Sequence, residues 1–129
     1  MPTPADCRYS DSHEWHKPEG NPATGVTLGI TQFAVNELTD ITYVQMKPVG
    51  TKIKAGESVG EVESVKATSD IYSAVTGEIV AVNTALADDP SAVNTDPYGK
   101  GWLVKLKISN AGELSNLMDS KAYDAKYKT

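Results

Sequence analysis

"VESVKATSDIYSAVTGEIVAVN", residues Val62 to Asn83, decides how the rest of this chain is read. Short runs of β-branched and apolar residues separated by turn formers give it the pattern of strands and hairpins. At its centre Lys66 stands between Val65 and Ala67, with no histidine, cysteine or glycine-rich loop beside it. The same texture continues outward. "GVTLGI" alternates Val26, Leu28 and Ile30, and "DITYVQM" sets Ile41, Tyr43 and Gln45 against Thr42, Val44 and Met46. "GWLVKLKIS" points Trp102, Val104, Leu106 and Ile108 inward, with Lys105 and Lys107 outward. A short strand is expected at Ile53, and "GESVGEVESV" and "SDIYSAV" flank the lysine. Strands at this spacing predict an all-β sandwich or barrel. "PVGTKIKAGESVGEV" and "AVTGEIVAVN" echo each other on either side of Lys66, as two related halves joined at its hairpin would.

Helical pieces interrupt the strands. Thr31 is placed to N-cap "QFAVNEL". Asn110 is placed to cap "AGELSNLM", with Glu113 three residues on, and Tyr123 and Tyr127 stand at helical spacing in "SKAYDAKY". The segment Ala85–Gly101 reads as a long loop, a length uncommon without a purpose.

The whole chain sets limits. Its 129 residues suit one domain, and 40% hydrophobic with 22% charged residues is ordinary for a globular protein. A net charge of −5 without a basic cluster speaks against nucleic acid. No apolar run has the length of a membrane span, and the N-terminus lacks signal- or transit-peptide character, so a cytoplasmic place is expected. The single cysteine, Cys7, excludes an internal disulfide. Cys7, His13 and His16 are three possible soft ligands, but "HEWH" is one residue short of a zinc-helix spacing and no fourth ligand is evident. No metal site is expected, and no nucleophile–base pair is visible. Glu57, Glu61 and Glu63 share a strand face by alternation, either as a solvated surface or as a recognition surface beside the lysine.

Three readings of Lys66 remain from its neighbours alone. Schiff-base chemistry asks for a lysine desolvated or set beside another cation, which a hairpin tip does not supply. Plain solvation is the second. The third is an attachment point, where a rigid tip offers an amine to a modifying enzyme and a long acyl chain then swings from it.

The third reading is carried by resemblance. "VESVKATSDIYSAVTGEIVAVN" resembles the lipoyl-lysine motif of the glycine cleavage system H protein family. "YSDSHEWHKPEG", "GVTLGITQFAVNELTDITYVQM", "NTDPYGKGWLVKLKIS" and "AGELSNLMDSKAYDAKY" resemble that family's other segments. The likeness runs from about Tyr9 to about Tyr127, within a single carrier domain spanning 1–129. Biotinyl domains place methionine on both sides of their lysine; this chain has Val65 and Ala67. Two departures stand out: Thr39 where glycine is usual, and Ala74 where proline is common.

The resemblance implies a mainly β fold, a flattened antiparallel barrel-sandwich hybrid with a short inserted helix and C-terminal helices. It implies lipoate joined by an amide to Lys66 in a monomeric, non-catalytic carrier. The partners implied are the P protein (glycine decarboxylase), the T protein (aminomethyltransferase), the L protein (dihydrolipoyl dehydrogenase), and a lipoate ligase or lipoyl transferase. Nucleic acid and membrane are not among them. A mitochondrial matrix location would follow only from removal of a transit peptide. It further implies arm contacts at Ser12, Glu14 and Asp70. Lysines such as Lys52 and Lys105 are also expected to be exposed, so exposure alone cannot select Lys66, and the hairpin geometry with the acidic neighbour Glu63 is expected to provide recognition. The alternatives are a lipoyl domain, or a lipoate-relay donor, serving 2-oxo-acid dehydrogenase complexes. A small hydrolase would need a nucleophile–base pair that the sequence does not offer.

Overall fold

The computed structural model describes residues 3–20 and 23–127. In chain order these form β1 (Arg8–Tyr9), β2 (Glu14–Gly20), β3 (Ala23–Ile30), α1 (Gln32–Leu38), β4 (Ile41–Met46), β5 (Lys52–Ile53), β6 (Ser58–Ser64), β7 (Thr68–Tyr72) and β8 (Gly77–Val82). Then come α2 (Ala92–Thr95), β9 (Val104–Ile108) and α3 (Ser120–Lys126), with 3-10 turns at Thr84–Ala87 and Ala111–Asn116. All pairings are antiparallel. They build a six-stranded sheet in the order β1-β2-β3-β9-β8-β5 and a three-stranded sheet in the order β4-β6-β7. The chain is therefore mainly β with open antiparallel sheets, and the two segments that echo each other pair through β5 and β8.

Alternation builds the core where it holds. Val104, Leu106 and Ile108 are buried while Lys105 and Lys107 are exposed, and Val26, Leu28 and Ile30 join them from β3. Trp102 departs from the expected pattern: it is half-buried before the strand begins, and Leu103 occupies the interior instead.

Two β-bulges break the alternation read from sequence. The register shifts between Ile41 and Tyr43, so Ile41 is buried together with the half-buried Val44 and Met46, and Tyr43 faces out. A second shift lies between Ser58 and Gly60, which lets both Val59 and Val62 point inward. One extra residue changes the side to which every later side chain points. Glu57 is thereby separated from the face of Glu61 and Glu63; its carboxylate turns back to accept the Lys54 N–H at 2.6 Å. Gly60 fits the second bulge because a Cβ there would lie 2.6 Å from Met46 Cα.

The strand β2 was not legible as one. Glu14, Trp15 and His16 are all buried in succession, because both faces of the strand are covered. Trp15 packs with Tyr9 and Tyr123, and its Nε1–H donates to Pro97 O at 3.0 Å. The ring lies so close over Gly29 that a Cβ would fall 2.7 Å from it.

The helices follow their caps. Thr31 Oγ1 accepts the Ala34 N–H, and Asp119 accepts that of Ala122. Asn110 caps its segment through Gly112, but Glu113 is drawn away to Thr76, whose N–H it accepts at 2.8 Å, and the segment winds as a 3-10 turn. The expected loop Ala85–Gly101 carries α2 and sinks Leu86 and Val93 into the core.

Candidate functional site

Lys66 sits at the tip of the β6–β7 hairpin. The tip is exposed yet tightly tied. Ser64 N–H donates to Ala67 O at 2.8 Å. The Ser64 hydroxyl accepts the N–H groups of Lys66 (3.1 Å) and Ala67 (3.0 Å) and donates to Ala67 O (3.1 Å). One donor and two acceptor positions exhaust what a hydroxyl can offer, so a single side chain fixes the turn. Val65, 69% exposed, points to solvent, and its N–H donates to Asp40 O at 3.1 Å. The Lys66 ammonium donates to Glu37 O at 3.3 Å, one of the carbonyls that a helix end leaves free. Among the described residues no carboxylate forms an ion pair with it.

Beside the hairpin lies a cleft of about 390 Å³ between α1, the β1–β2 turn and β7. Phe33, Ala34 and Leu38 give it an apolar wall, Ser12 and Ser69 bring hydroxyls, and Glu37, whose carbonyl holds Lys66, stands at its edge. An apolar wall with a few hydroxyls suits a methylene chain ending in a small polar group. The sequence reading missed Phe33, Leu38 and Ser69, although the alternation of β7 gives Ser69 the parity of the buried Ile71.

Ser12 and Glu14 come together: the Ser12 hydroxyl donates to Glu14 Oε1 at 2.5 Å and the Ser10 hydroxyl to the same oxygen at 2.6 Å. Glu14 is not a surface carboxylate. It is 1% exposed, and its other oxygen accepts the Tyr72 N–H at 3.1 Å. Burial pushes its pKa above the ordinary carboxylate value, against the lowering effect of those hydrogen bonds. Two residues on, His16 Nε2 accepts the Ala74 N–H at 3.1 Å. Glu14 and His16 thus reach from β2 to alternate N–H groups, that of Tyr72 at the end of β7 and that of Ala74 just beyond it, and join the two sheets. Burial drives the His16 pKa down to about 4, so the ring is neutral at physiological pH. Asp70 lies on the opposite face of β7, opposite Glu61 in register, in a separate hollow with Gln45 and Lys47. Glu63 is half-buried on β6, facing Tyr43 of β4 in register.

The possible soft ligands are dispersed to other tasks. His13 stacks on Phe33 with ring centroids 4.4 Å apart, and its Nδ1 lies 2.7 Å from the Tyr123 hydroxyl. The buried Cys7 thiol has its pKa raised to about 12 by desolvation, which removes it as a nucleophile. Among the described residues no group of three or more potential ligands could hold a metal, and no helix is long and apolar enough to cross a membrane.

Comparison with known proteins gives a consistent result. The family model described as Glycine cleavage H-protein matches residues 7–129. A glycine cleavage system H protein of Symbiobacterium thermophilum is 49% identical over 122 residues, covering 95% of this chain and 93% of that protein. The glycine cleavage system H protein 2, mitochondrial, of Arabidopsis thaliana is 50% identical over 118 residues, 92% of this chain and 74% of its own. The crystal structure of a glycine cleavage system H protein from Mycobacterium marinum superposes with a TM-score of 0.86 at 42% identity, covering 96% of this chain and 98% of that one.

Proposed function

This chain belongs to the glycine cleavage H-protein family, and from that premise we propose that Lys66 carries a lipoyl group through an amide bond. The chain is the carrier of the glycine cleavage system. A lipoyl domain of a 2-oxo-acid dehydrogenase complex is not favoured, because the family match runs from residue 7 to residue 129. Lipoate, when attached, supplies a cyclic disulfide that takes up the aminomethyl group of glycine at the P protein, yields it to the T protein and is reoxidised by the L protein. The protein contributes position, enclosure and docking surface rather than catalysis.

One observation carries the reading: a lysine with no carboxylate partner among the described residues stands on a tip fixed by Ser64, at the edge of a cleft with an apolar wall and hydroxyls. Acylation by a lipoate ligase or lipoyl transferase converts the amine to an amide and removes its charge. The Glu37 carbonyl can still accept from the amide N–H. Lys52 and Lys105 are exposed too, so exposure does not select the site. The tied turn and Glu63, three residues before the lysine, are what we assign to recognition.

For the attached arm, Ser12 lines the cleft directly. Glu14 acts from behind it, holding the Ser12 hydroxyl in place. A cationic amine brought there would gain a charge-assisted partner from that serine–carboxylate pair. Asp70, on the other face of β7, is assigned contact with the arm only when it lies outside the cleft. Residues 9–127 act as one carrier unit, monomeric, in the cytoplasm, or in the mitochondrial matrix after removal of a transit peptide.

Lys66→Arg tests the attachment. Arginine keeps charge and length but cannot form the amide, so intact mass should show a folded and unmodified protein in a host that lipoylates wild type. A lipoyl mass on the variant would refute the assignment.

A further inference from the structure

The turn that leads from α1 into β4 is unusual. Thr39 takes φ +65° and ψ −140°, with its N–H donating to Val35 O at 2.9 Å. A β-branched residue rarely adopts such a backbone, and the conformation persists only where its surroundings over-determine it. The determinant comes from far along the chain. Asn94 of α2 donates from Nδ2 to Thr39 O at 2.8 Å, and its Oδ1 accepts the Ile41 N–H at 2.9 Å. One amide therefore grips the backbone on both sides of Asp40. Its neighbour Val93 is fully buried and anchors the grip to the core.

Asp40 is bonded directly to the tip of the lysine hairpin, since its carbonyl accepts the Val65 N–H at 3.1 Å. The Lys66 ammonium meets Glu37 O two residues before the same turn. The end of α1, the start of β4 and the hairpin tip thus converge on residues 37–41, and Asn94 is the side chain that bonds to both flanks of that turn. An asparagine on a loop backbone ordinarily does no more than stabilise the loop. Here the residue enclosed between its two bonds is the one that accepts the Val65 N–H at the tip.

We infer that Asn94 is a positioning residue for Lys66: by clamping the Thr39–Ile41 turn it sets where the lysine stands relative to α1 and the cleft. The inference rests on Lys66 being the attachment site. In that acylation the Lys66 ammonium first gives up one proton to solvent, the amine nitrogen forms a bond to the activated carboxyl carbon, the activating group leaves, and a second nitrogen proton passes to solvent. Asn94 touches none of these atoms. Its effect falls on how the modifying enzyme meets the tip, and on the strength of the Val65–Asp40 bond.

The test uses the full unmodified chain, a lipoate ligase, lipoate and ATP, with Asn94→Leu to remove both hydrogen bonds at nearly constant volume. KM for the carrier should rise about fivefold or more, the worth of roughly one hydrogen bond, with kcat within about twofold. Amide exchange at Val65 should quicken by roughly tenfold while that of core strands such as β9 is unchanged. Asn94→Asp, which keeps the acceptor for Ile41 N–H but loses the donor to Thr39 O, should fall between wild type and Asn94→Leu; it carries both readouts if Asn94→Leu does not fold. A folded Asn94 variant with wild-type KM, or with wild-type exchange at Val65, overturns the inference. Lipoylation of Lys66→Arg in the same assay would instead overturn the attachment reading, and the inference with it, whatever Asn94 does.

Discussion

Acid unfolding of wild type and His16→Gln, compared by urea titration from about pH 7.5 to about pH 4, isolates the proton bound by one buried ring. In the folded protein His16 is fully buried and accepts the Ala74 N–H, so its neutral form is favoured. Its pKa falls from the ordinary 6.5 to about 4, a difference of about 3 kcal/mol between folded and unfolded states. The direction follows from proton counting. Between those two pKa values the unfolded chain binds a proton at this position and the folded chain does not, so stability falls as the pH falls. The contribution is complete above 6.5 and is gone by about 4. Glutamine cannot take up a proton there, so the stability gap between the two proteins should shrink by about 3 kcal/mol across the range. Glu14 works in the opposite sense, because its raised pKa makes the folded state the better proton acceptor. It is present in both proteins, however, and drops out of the difference. Urea midpoints that stay parallel from pH 7.5 to pH 4 would show that the folded protein protonates His16 freely, and would refute the reasoning.

Three further outcomes are expected. Thr39→Gly should raise stability by about 1 kcal/mol, the release of roughly 1–3 kcal/mol of strain set against the entropy of glycine, read as an increase in Tm of about 4 °C; an unchanged or lower Tm would count against strain at this turn. Gly29→Ala places a methyl 2.7 Å from the pinned Trp15 ring and should destabilise the fold by about 1–3 kcal/mol, with a shift in tryptophan emission; a silent substitution would mean that the ring yields easily. Cys7 should resist iodoacetamide at pH 8 in the folded protein and react in urea, given a thiol pKa of about 12; rapid modification without denaturant would contradict its burial.

Much of this architecture could be read from local pattern, and the failures have definite physical origins. The strand Val104–Ile108 was legible because one of its faces meets the core and the other meets water. The hairpin at Lys66 was legible because turn residues bracket it on both sides. β2 was hidden because Glu14 and His16 are buried polar residues and Trp15 is covered from the other side, which leaves no alternation of hydropathy. In β4 and β6 the strands were recognised but alternation was carried straight through each bulge, which set Ile41 apart from Val44 and Met46 and grouped Glu57 with Glu61 and Glu63; a bulge is a backbone event that side-chain pattern does not announce. Of the candidate site, Lys66 was singled out by the family resemblance of its flanking sequence, its neighbours alone leaving three readings open, whereas the hydroxyls of Ser10 and Ser12 converging on Glu14 required the folded turn. The clamp by Asn94 joins residues 53 and 55 positions apart, and bonds between a side chain and a distant backbone leave no periodic trace.

The seam between the two sheets has an evolutionary aspect. Where neighbouring strands share a backbone ladder, the bonds belong to every sequence alike, and substitution changes them only indirectly. At the end of β7 the partners of Tyr72 and Ala74 are instead a carboxylate and an imidazole from β2. This border is written in side chains, so a single codon change can loosen, tighten or make pH-dependent the junction that runs behind the cleft. Related carriers can therefore adjust how readily the two sheets part without altering a strand, a register or the hairpin that presents the lysine.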